Sequence, residues 1–587
     1  MGDYAMNGGP VNGSPINGSA QETSFQLENH PVDDVRTIKV IVIGAGLCGI
    51  TAGVLLPKKV PGIELKIIDK NSDVGGTWLE NKYPGVRCDI PAHVYQSTFE
   101  PNIEWTEEFA QGHEILAYWQ RIARKYDVYK YTSFRQQVLE SDWDAKVSKW
   151  NLQIKDLETG NEYTEQCDAV INALGNFNAW KLPDISGLHD FKGHLRHSSN
   201  WDPTFDPTGK KLAVIGNGAS GLQVLPPLQK LASHIDHYAR SRTWIASSFA
   251  GDERTVEPKY YTQAQLDSFK DPSTYLQFRK SMEEKYFKSF PGWLKNSDKN
   301  NANREAFTKL MLSRISKKPE LAKDLIPDFS PSCRRLTPGP GYLEAISEPN
   351  VDMIRTPISH FTETGITTVD GSHRPVDAII CCTGANVDFV PPFPIRGLNS
   401  LLLQDLWRRG GDPGYPYCYM SLAVPNFPNL FFLHGPHGAG LSGTIPSSAE
   451  SQITYMCQLF RKMSTQGIRT MTPSKAATDD FQDYSDEFFK TTVLKENCSS
   501  WANGRNPGGR IHGFWPGSGR HVMFVRANPR WEDWEYTYVG SGGNRFAWLG
   551  NGSTRREGEE GGDVTGYLKR VGEADLRSHH EMWWEVY

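Results

Sequence analysis

Two glycine-rich turns are the stretches of this 587-residue chain whose residue types and spacing most directly indicate chemistry. Both have the pattern G-x-G-x-x-G, formed by Gly44, Gly46 and Gly49 in the first turn and by Gly216, Gly218 and Gly221 in the second. The first glycine of such a motif permits a tight turn, the second lets the backbone approach a pyrophosphate, and the third allows a helix to pack closely on a strand. The pyrophosphate then lies at the helix N-terminus. The sequence therefore predicts two dinucleotide sites.

The residues that follow the two motifs differ in charge. Asp69 ends the apolar segment ELKIIDK twenty residues after the first motif, where an acid accepts a hydrogen bond from a ribose hydroxyl. The equivalent place after the second motif holds Ser241, with Arg240 and Arg242 on either side. Arginine and serine suit a 2′-phosphate, so the second site is predicted to prefer NADPH over NADH. The alternative, that these arginines are solvated surface side chains, stays open.

Two predicted strand–turn–helix units position these glycines. The segments IKVIVIGAGLCGITAGVLL, from residue 38, and KLAVIGNGASGLQVLPPL, from residue 211, each pass from an apolar run through a glycine turn into a helical pattern. Residues 168–175, DAVINALG, and residues 377–384, DAIICCTG, share one form and resemble two strand ends. They suggest that the chain leaves a first domain and returns to it. The predicted fold is α/β, with two Rossmann-like dinucleotide-binding domains, the second inserted in the first, and a helical insertion.

The composition of successive segments predicts the domain boundaries. They are a disordered N-terminal arm at 1–35, a discontinuous first dinucleotide domain at 36–180 and 376–500, a second dinucleotide domain at 181–248 and 331–375, a helical insertion at 249–330, and a Trp-rich C-terminal region packed on the body at 501–587.

The composition also bounds the partners and the compartment. A formal net charge of −5 gives no electrostatic reason to expect nucleic acid or an anionic membrane as a partner. No apolar run approaches the roughly 20 residues that span a bilayer. The nine cysteines are dispersed without a C-x-x-C pair or zinc spacing, so we expect reduced thiols, no metal site and a cytoplasmic location.

Three further stretches carry residues that chemistry could use. Residues 75–95, GGTWLENKYPGVRCDIPAHVY, follow the second strand, where the ligand crevice of such a sheet lies, and they make Asp89 a candidate buried carboxylate. Arg334 and Arg335 precede a glycine-rich turn in CRRLTPGPGY. Residues 191–202, FKGHLRHSSNWD, form a polar connector before the second glycine motif. A surface loop or a surface arginine pair remains the alternative for the first two.

Two of these stretches resemble the signatures of Baeyer–Villiger monooxygenases. The connector matches F-x-G-x-x-x-H-x-x-x-W followed by Asp202, and residues 75–89 match [A/G]-G-x-W-x₄-[F/Y]-P-[G/M]-x₃-D. The resemblance covers roughly residues 37–550. It implies an enzyme that holds FAD, consumes NADPH and O₂, and inserts one oxygen next to the carbonyl of a small-molecule ketone, giving an ester or lactone. A bulky or natural-product ketone, as in secondary metabolism, is the expected substrate.

The resemblance also implies roles for individual residues. The residues expected to hold FAD are Gly44, Gly46, Gly49, Asp69, Thr77, Trp78, Arg87, Asp89 and Tyr95. Those expected to hold NADPH are Gly216, Gly218, Ser220, Gly221, Arg240, Ser241, Arg334 and Trp501, although Trp501 precedes Ala502 where the family usually has tyrosine. The expected catalytic residues are Arg335, Asp89 and His197.

Within this scheme Arg335, rather than Arg334, aligns best with the arginine that the family needs beside the flavin. His197 is expected to couple NADPH docking to the flavin across the domain junction, and Gly193 to permit an unusual backbone angle. A flavin-dependent monooxygenase acting on nitrogen or sulfur, a simple flavin reductase or disulfide reductase, and a non-enzymatic nucleotide-binding protein remain the alternatives.

Overall fold

The computed structural model describes residues 25–177, 179–246, 259–573 and 575–576. Most of the predicted N-terminal arm, residues 1–24, lies outside this range. So do residues 247–258, which include the start of the predicted helical insertion, and the C-terminal segment 577–587. The described chain forms two compact units. The larger comprises residues 35–464 and 468–537.

Strands of the described chain are named here in chain order. They are β1 (Ile38–Ile43), β2 (Ile63–Ile68), β3 (Thr132–Ser133), β4 (Gln136–Asp144), β5 (Lys149–Asp156), β6 (Glu162–Cys167), β7 (Ala169–Asn172), β8 (His194–His197), β9 (Lys211–Ile215), β10 (His234–Tyr238), β11 (Val351–Ile354), β12 (Ile358–Phe361), β13 (Gly365–Thr368), β14 (His373–Pro375), β15 (Ala378–Cys381), β16 (Ile395–Arg396), β17 (Leu430–Phe432), β18 (Ile468–Pro473) and β19 (Trp534–Tyr538).

The α-helices of the described chain are named in the same way. They are α1 (Leu47–Lys59), α2 (Thr77–Glu80), α3 (Gly112–Lys125), α4 (Ala219–Gln229), α5 (Gln263–Ser268), α6 (Pro272–Phe287), α7 (Asp298–Arg314), α8 (Ala322–Leu325), α9 (Tyr342–Ile346), α10 (Leu403–Trp407), α11 (Ile445–Thr465), α12 (Lys475–Lys490), α13 (Gly519–Val525) and α14 (Arg555–Gly558).

A first parallel sheet has the strand order β17-β7-β1-β2-β3. Its central strand β1 is almost wholly buried, because a strand covered on both faces needs a continuous apolar run such as IKVIVI. β1 pairs in parallel with β2 and β7, and β17 returns to β7 more than 250 residues later. Everything between β7 and β17 is therefore inserted between two neighbouring strands of one sheet.

A second parallel sheet, β11-β10-β9-β15-β8, lies within that insertion. The two parallel sheets, the second inside the first, are the fold that the glycine motifs predict. One boundary is wrong, because β15 had been assigned to the first domain, which was predicted to resume at residue 376. β15 pairs instead with β9 and β8 of the second sheet. The first sheet regains the chain only at β17.

Smaller sheets complete the larger unit. Strands β16, β4, β5 and β6 form one, β12 to β14 form an antiparallel sheet, and β18 pairs with β19. β5 alternates buried and partly exposed residues, as expected for an antiparallel strand with one face towards solvent. In β4 an irregularity between Val138 and Glu140 interrupts this alternation.

Helices α5 to α8 fill the described part of the predicted helical insertion. Three of them begin at residues whose side chains accept from a backbone N–H of the first turn, namely Thr262, Asp271 and Ser297. On α7, Phe307 and Met311 are buried in the apolar cluster that covers one face of the second sheet. The insertion thus contributes directly to the core of the second domain.

Residues 501–537, the first part of the Trp-rich region, belong to the larger unit. Trp515 and Trp534 are buried there, and the ring of Trp534 contacts Tyr419 at a centroid distance of 5.7 Å.

A disulfide between Cys333 and Cys498 corrects the expectation that all nine cysteines are reduced. The two residues lie 165 positions apart, with a Cα–Cα distance of 6.3 Å, within the usual range for a disulfide. The other seven cysteines are free thiols. A pairing over this distance leaves no local spacing pattern, so the sequence alone did not reveal it.

The smaller unit is formed by its described residues 25–34, 465–467 and those from 538 to 576. Within it, Val32 N–H donates to the Ser553 carbonyl at 2.8 Å, and Arg555 Nη2 donates to Asp34 Oδ1 at 2.6 Å. Segments from near both ends of the sequence therefore pack together in this unit. Among the described residues, no helix combines the length and apolar character needed to cross a bilayer.

Candidate functional site

The first glycine turn joins β1 to α1 and is closed against the end of β7. Gly44 has φ +111°, and a Cβ at this position would lie 2.6 Å from the Ala173 carbonyl oxygen. A Cβ at Gly49 would lie 1.9 Å from the Gly44 carbonyl oxygen. Both positions therefore require glycine, for backbone conformation and for close packing of helix on strand.

A cradle without side chains lies at the N-terminus of α1. A Cβ on Gly76 would approach the Gly46 Cα to 2.9 Å, so two glycine backbones face each other here. Gly46 is the N-cap of α1, and among the described residues no side chain caps it. Exposed N–H groups at a helix N-terminus bind anions, and the absence of side chains here lets a pyrophosphate approach the protein backbone. These residues fit a dinucleotide.

Asp69 stands beside this turn, directly after β2. Its Oδ2 accepts a hydrogen bond from Ala45 N–H at 2.6 Å, and its Oδ1 accepts one from Asn71 N–H at 2.8 Å. Burial raises the pKa of Asp69, and the two backbone hydrogen bonds oppose that shift. The carboxylate is thus fixed within one residue of the motif, where a ribose would lie.

The second glycine turn repeats the first in the second sheet. Gly216 has φ +107°, and its Cβ would lie 2.4 Å from the Cys382 carbonyl oxygen. A Cβ at Gly221 would lie 2.0 Å from the Gly216 carbonyl oxygen, whereas one at Gly218 would meet nothing within 4 Å. The open space above Gly218, the N-cap of α4, allows a ligand to approach the backbone.

A pocket of about 390 Å³ opens beyond β10, on the side predicted for a 2′-phosphate. Its lining residues are Ser241, Arg242, Asp328, Phe329, Arg334, Arg355, Asn497, Cys498 and Ser499. Three of them are arginines, and their charges make the pocket suitable for an anion. Arg242 was noted in the sequence only as a neighbour of Ser241, and Arg355 was missed because it follows β11, more than 100 residues further on.

Arg334 is held in this pocket by a hydrogen bond from its Nη1 to the Arg242 carbonyl oxygen at 2.8 Å. Burial lowers the pKa of Arg334, and the nearby charge of Arg240 lowers it further. A bound anion would oppose both effects, because its negative charge stabilises the charged form of Arg334. Arg240 contributes charge next to the pocket rather than lining it. The Ser241 backbone carbonyl accepts a hydrogen bond from Asn217 Nδ2 at 2.5 Å, which fixes the turn.

Arg335 and Asp89 form a bidentate ion pair. Arg335 Nε donates to Asp89 Oδ2 at 2.9 Å and its Nη2 donates to Oδ1 at 2.6 Å. Burial by itself lowers the pKa of Arg335, but the Asp89 carboxylate outweighs it and leaves the pKa raised. The arginine therefore remains charged, and 39% of its side chain is accessible. The structure therefore joins two residues that lie 246 positions apart.

Aromatic side chains surround the Asp89 loop. Thr77 and Trp78 open the short helix α2, and the rings of Trp78 and Tyr95 meet edge to face at 5.8 Å. Burial raises the pKa of the Tyr95 hydroxyl, which therefore stays protonated. Arg87 points to the buried Glu107, with 3.2 Å between Nη1 and Oε2.

Gln223 on α4 connects the two glycine-motif domains and was missed by sequence reasoning. Its Nε2 donates to the Arg87 carbonyl at 2.9 Å, and its Oε1 accepts from the Tyr83 hydroxyl at 2.8 Å. Burial raises the pKa of Tyr83 to about 12, and a hydrogen bond with Ser220 opposes the shift. The available signal was a single polar residue within the apolar run of the second motif's helix.

The connector at residues 191–202 is partly a strand, since β8 pairs in parallel with β15. His197 ends that strand, its Nδ1 accepts from Ser199 N–H at 3.1 Å, and its ring stacks on Trp180 at 5.2 Å. Burial lowers the pKa of His197 to about 4, with a smaller opposing effect from the Gly384 backbone, so the ring is neutral near pH 7.

Gly193 is needed for space rather than for the unusual backbone angle that was expected. Its φ lies outside the left-handed region, but a Cβ would come within 2.5 Å of both the Asp377 carbonyl oxygen and the Phe191 ring. Phe191 is buried in the second domain, and Trp201 packs on the apolar cluster of the same sheet.

Trp501 lies at the start of a short 3₁₀ turn, three residues after Cys498. Its ring contacts Phe177 at 5.9 Å and Phe514 at 4.9 Å. It therefore shares a chain segment with the pocket residues Asn497 to Ser499.

One cluster of possible metal ligands exists in the described chain, formed by His234, Asp236 and Asp352. Arg374 Nη1 donates to both carboxylates, at 2.7 Å and 3.0 Å. The arginine already supplies the positive charge of this cluster, and we assign no metal to it.

Comparison with known proteins adds family information to this geometry. A family model described as an NAD(P)-binding Rossmann-like domain matches residues 42–111. FAD-binding monooxygenase tazF of Aspergillus terreus is 34% identical over 541 residues, covering 91% of this chain and 95% of that protein. FAD-binding monooxygenase moxY of Dothistroma septosporum is 34% identical over 561 residues, covering 94% and 87%.

Solved structures share the fold over most of the chain. The structure of OTEMO in complex with FAD and NADP matches with a TM-score of 0.71 at 26% identity, covering 85% of this chain and 99% of that one. Cyclohexanone monooxygenase from Rhodococcus sp. Phi1 bound to NADP⁺ matches with a TM-score of 0.73 at 24% identity, covering 86% and 100%. A second parallel sheet inserted into a first is thus an arrangement that this chain shares with other proteins.

Proposed function

This chain belongs to the FAD-binding monooxygenase family, and we propose that it is a Baeyer–Villiger monooxygenase. It would use NADPH and O₂ to insert one oxygen next to a ketone carbonyl and so form an ester or lactone. The observation that carries the proposal is the bidentate Arg335–Asp89 pair. The loop that carries Asp89 meets the first glycine turn where Gly76 faces Gly46, and it meets α4 where Gly85 packs on Gln223. The similarity to cyclohexanone monooxygenase in fold supports it.

We assign FAD to the first glycine turn. The cradle between Gly46 and Gly76 would take its pyrophosphate, and Asp69 its ribose. Trp78 and Tyr95 would line the ring system. When bound and reduced, FAD supplies the oxygen-transfer chemistry.

We assign NADPH to the second glycine turn, with its 2′-phosphate in the arginine-rich pocket. Arg334, Arg242 and Ser241 would contact the phosphate, and Arg240 would add charge next to them. Trp501 would lie towards the nicotinamide end. This assignment predicts a preference for NADPH over NADH.

Arg335 would act by holding a fixed positive charge beside the reacting carbonyl. Its raised pKa keeps it cationic at every physiological pH, and Asp89 fixes its orientation through two hydrogen bonds. Preorganised charge of this kind commonly stabilises a transition state by ~3 kcal/mol or more. Trp78 and Tyr95, whose rings meet edge to face, would help to exclude water from the site. His197 would couple NADPH docking to this site across the domain junction.

Replacement of Arg335 tests the assignment. We expect Arg335→Ala to abolish ester formation while FAD stays bound, because the arginine serves the reaction rather than the pyrophosphate cradle. The measurement is product analysis by mass spectrometry with a ketone panel, alongside NADPH-dependent oxygen uptake and flavin absorbance. Ester formation at near wild-type rate in the variant would contradict the role of Arg335.

The same panel separates the alternatives. Oxygenated amines or sulfides without esters would identify a nitrogen- or sulfur-oxygenating enzyme, and bound FAD without NADPH-dependent oxygen uptake would identify a protein that is not an oxygenase. We propose a bulky or natural-product ketone as substrate, because the helical insertion and the buried tryptophans add structure beyond the two dinucleotide domains, and the matched monooxygenases of Aspergillus terreus and Dothistroma septosporum are fungal.

We also propose a cytoplasmic location, since seven of the nine cysteines are free thiols. Cell fractionation with an antibody to the protein tests this location.

A further inference from the structure

The Cys333–Cys498 disulfide joins two chain segments that both line the arginine-rich pocket. Cys333 directly precedes Arg334, and Cys498 lies between the lining residues Asn497 and Ser499. Both cysteines are buried, with 0% and 2% of their surface exposed, but Cys498 itself lines the pocket. The pocket is thus the side from which a small reagent reaches the disulfide.

Hydrogen bonds accompany the disulfide on the segment that carries Cys498, where Asn503 Nδ2 donates to the Cys498 carbonyl at 3.0 Å. The Glu496 carboxylate accepts from Ser330 N–H at 2.7 Å and from the Ser330 hydroxyl at 2.6 Å. Beyond it, the Ser499 hydroxyl donates to the Arg505 carbonyl at 3.2 Å. The disulfide is the covalent constraint that fixes the distance between Ser499 and the arginine beside Cys333.

We propose that the Cys333–Cys498 disulfide is a reversible redox site that sets the affinity of the arginine-rich pocket for NADPH. The inference rests on the proposed function, because it takes the pocket as the site of the 2′-phosphate. Disulfides in the cytoplasm are usually transient and redox-active rather than structural. The position of this disulfide beside a ligand pocket is consistent with such a role.

The chemistry is ordinary thiol–disulfide exchange. A thiolate of a dithiol reductant attacks the Cys498 sulfur, and the Cys333 sulfur leaves as a thiolate and takes a proton. The second thiol of the reductant then closes on its first sulfur, which releases the Cys498 thiol and leaves the reductant as a cyclic disulfide. A low-molecular-weight disulfide such as oxidised glutathione reverses the reaction by two successive exchanges.

The oxidised form preorganises the pocket, because the disulfide then fixes residues 497–499 beside Arg334. In the reduced form, hydrogen bonds such as Glu496–Ser330 are left to hold the two segments together. NADPH binding to the reduced form must also order the released segment. Ordering one or two more side chains weakens the affinity by about tenfold. Ligand in the pocket also covers Cys498, so it slows attack by the reductant. Affinity and reduction are therefore linked in both directions.

The first test uses the FAD-loaded wild-type protein in two redox states. Treatment with oxidised glutathione should give seven titratable thiols after denaturation, and treatment with dithiothreitol under argon should give nine. Calorimetric titration with NADP⁺ should show about tenfold weaker binding to the reduced protein. Equal affinity in the two states would overturn the inference, whereas no NADP⁺ binding in either state would overturn the assignment of the second site itself.

The second test uses variants and the rate of reduction. Cys498→Ala should bind NADP⁺ as weakly as the reduced wild type, with no further response to dithiothreitol. The matched control Cys457→Ala removes a buried free thiol on α11 and should keep the wild-type response. In wild type, saturating NADP⁺ should slow thiol release by dithiothreitol severalfold. Release at the same rate with and without NADP⁺ would show that the disulfide does not face the ligand, contrary to the inference.

Discussion

At the level of single residues, the Arg335–Asp89 pair shows how the site keeps a cation available without leaving it unpaired. A carboxylate that is 11% exposed and held by two hydrogen bonds orients one edge of the guanidinium. The same ion pair therefore both positions the arginine and keeps it charged.

Removing the charge of Asp89 without changing its size tests this role. We expect Asp89→Asn to lower kcat by about 10- to 100-fold, because a partner that cannot accept two charged hydrogen bonds leaves the arginine misoriented. Steady-state ester formation measures the effect.

The surface pair Arg396–Asp142 offers a matched control, since Asp142→Asn breaks a 2.9 Å contact between side chains that are 37% and 39% exposed. Exposed pairs contribute little to stability. If Asp89→Asn and Asp142→Asn had the same kcat, the role given to Asp89 would be wrong.

Sequence reasoning worked at this scale where a residue's neighbours in the chain define its surroundings. The glycines of both turns follow a local pattern with a steric cause, and in the structure each turn joins a strand to a helix. That these turns and Asp69 bind dinucleotides stays a prediction. Gln223 and Arg355 could not be found in this way. Their importance comes from what they meet across the fold, the Arg87 carbonyl and the arginine-rich pocket. A lone polar residue in an apolar helix marks Gln223 as unusual without identifying its partner, and the residues around Arg355 do not indicate the pocket.

At the level of elements, α4 serves two functions. Its N-terminus faces the open space of the second glycine turn, while Gln223 near its middle holds the loop that leads from Tyr83 to Asp89. The loop packs so closely on the helix that a Cβ at Gly85 would lie 2.4 Å from the Gln223 carbonyl oxygen. A shift of α4 is therefore transmitted to the segment carrying Asp89.

Substitution of Gln223 tests this connection. We expect Gln223→Leu to slow reduction of the flavin by NADPH at least severalfold, because the helix that begins at the proposed NADPH site loses its link to the Asp89 loop. The free energy of unfolding should fall by about 1–3 kcal/mol, since two polar groups lose their partners. Stopped-flow absorbance and urea unfolding measure the two effects.

Gln229→Leu provides the control on the same helix, because Gln229 Nε2 donates to Asn350 Oδ1 at 3.0 Å and makes no contact with the loop in the described structure. It should destabilise the protein without slowing flavin reduction. Equal rates of reduction in both variants would argue against a coupling role for Gln223.

Element assignments failed where two segments look alike. DAVINALG and DAIICCTG both become buried parallel strands, β7 and β15, yet the two strands belong to different sheets. The sequence pattern of each segment predicts only a buried strand that ends in a glycine turn. Which sheet receives the strand is decided by long-range pairing with β1 or with β9, and no short pattern encodes it.

At the level of the whole molecule, buried neutral histidines link stability to acid pH. Burial lowers the pKa of His237 to about 4, with the Val214 carbonyl opposing the shift, from an ordinary value of 6.5. Between these values the unfolded chain binds a proton that the folded chain does not. Stability is therefore complete above pH 6.5 and is lost as the pH falls towards 4.

His237→Gln should flatten this pH dependence. At pH 5 one such histidine removes up to about 2 kcal/mol from the free energy of unfolding relative to pH 7, and the variant should lose less by about that amount. Urea unfolding at the two pH values measures the difference. His189, which is exposed, supplies the control, and His189→Gln should follow the wild-type slope. A slope unchanged in His237→Gln would contradict this account.

The strand order of the second sheet has a consequence for how this protein can be rearranged. The chain enters that sheet at β8 and leaves it at β15, and these strands are neighbours with Ala378 opposite His194 and Cys381 opposite His197. Three residue steps of a parallel strand separate the two junctions, roughly 10 Å. An inserted domain whose two ends lie this close can be exchanged as a unit. Exchange of residues 194–381 for the equivalent part of a relative should therefore transplant coenzyme preference while leaving the first sheet closed around its own ligand.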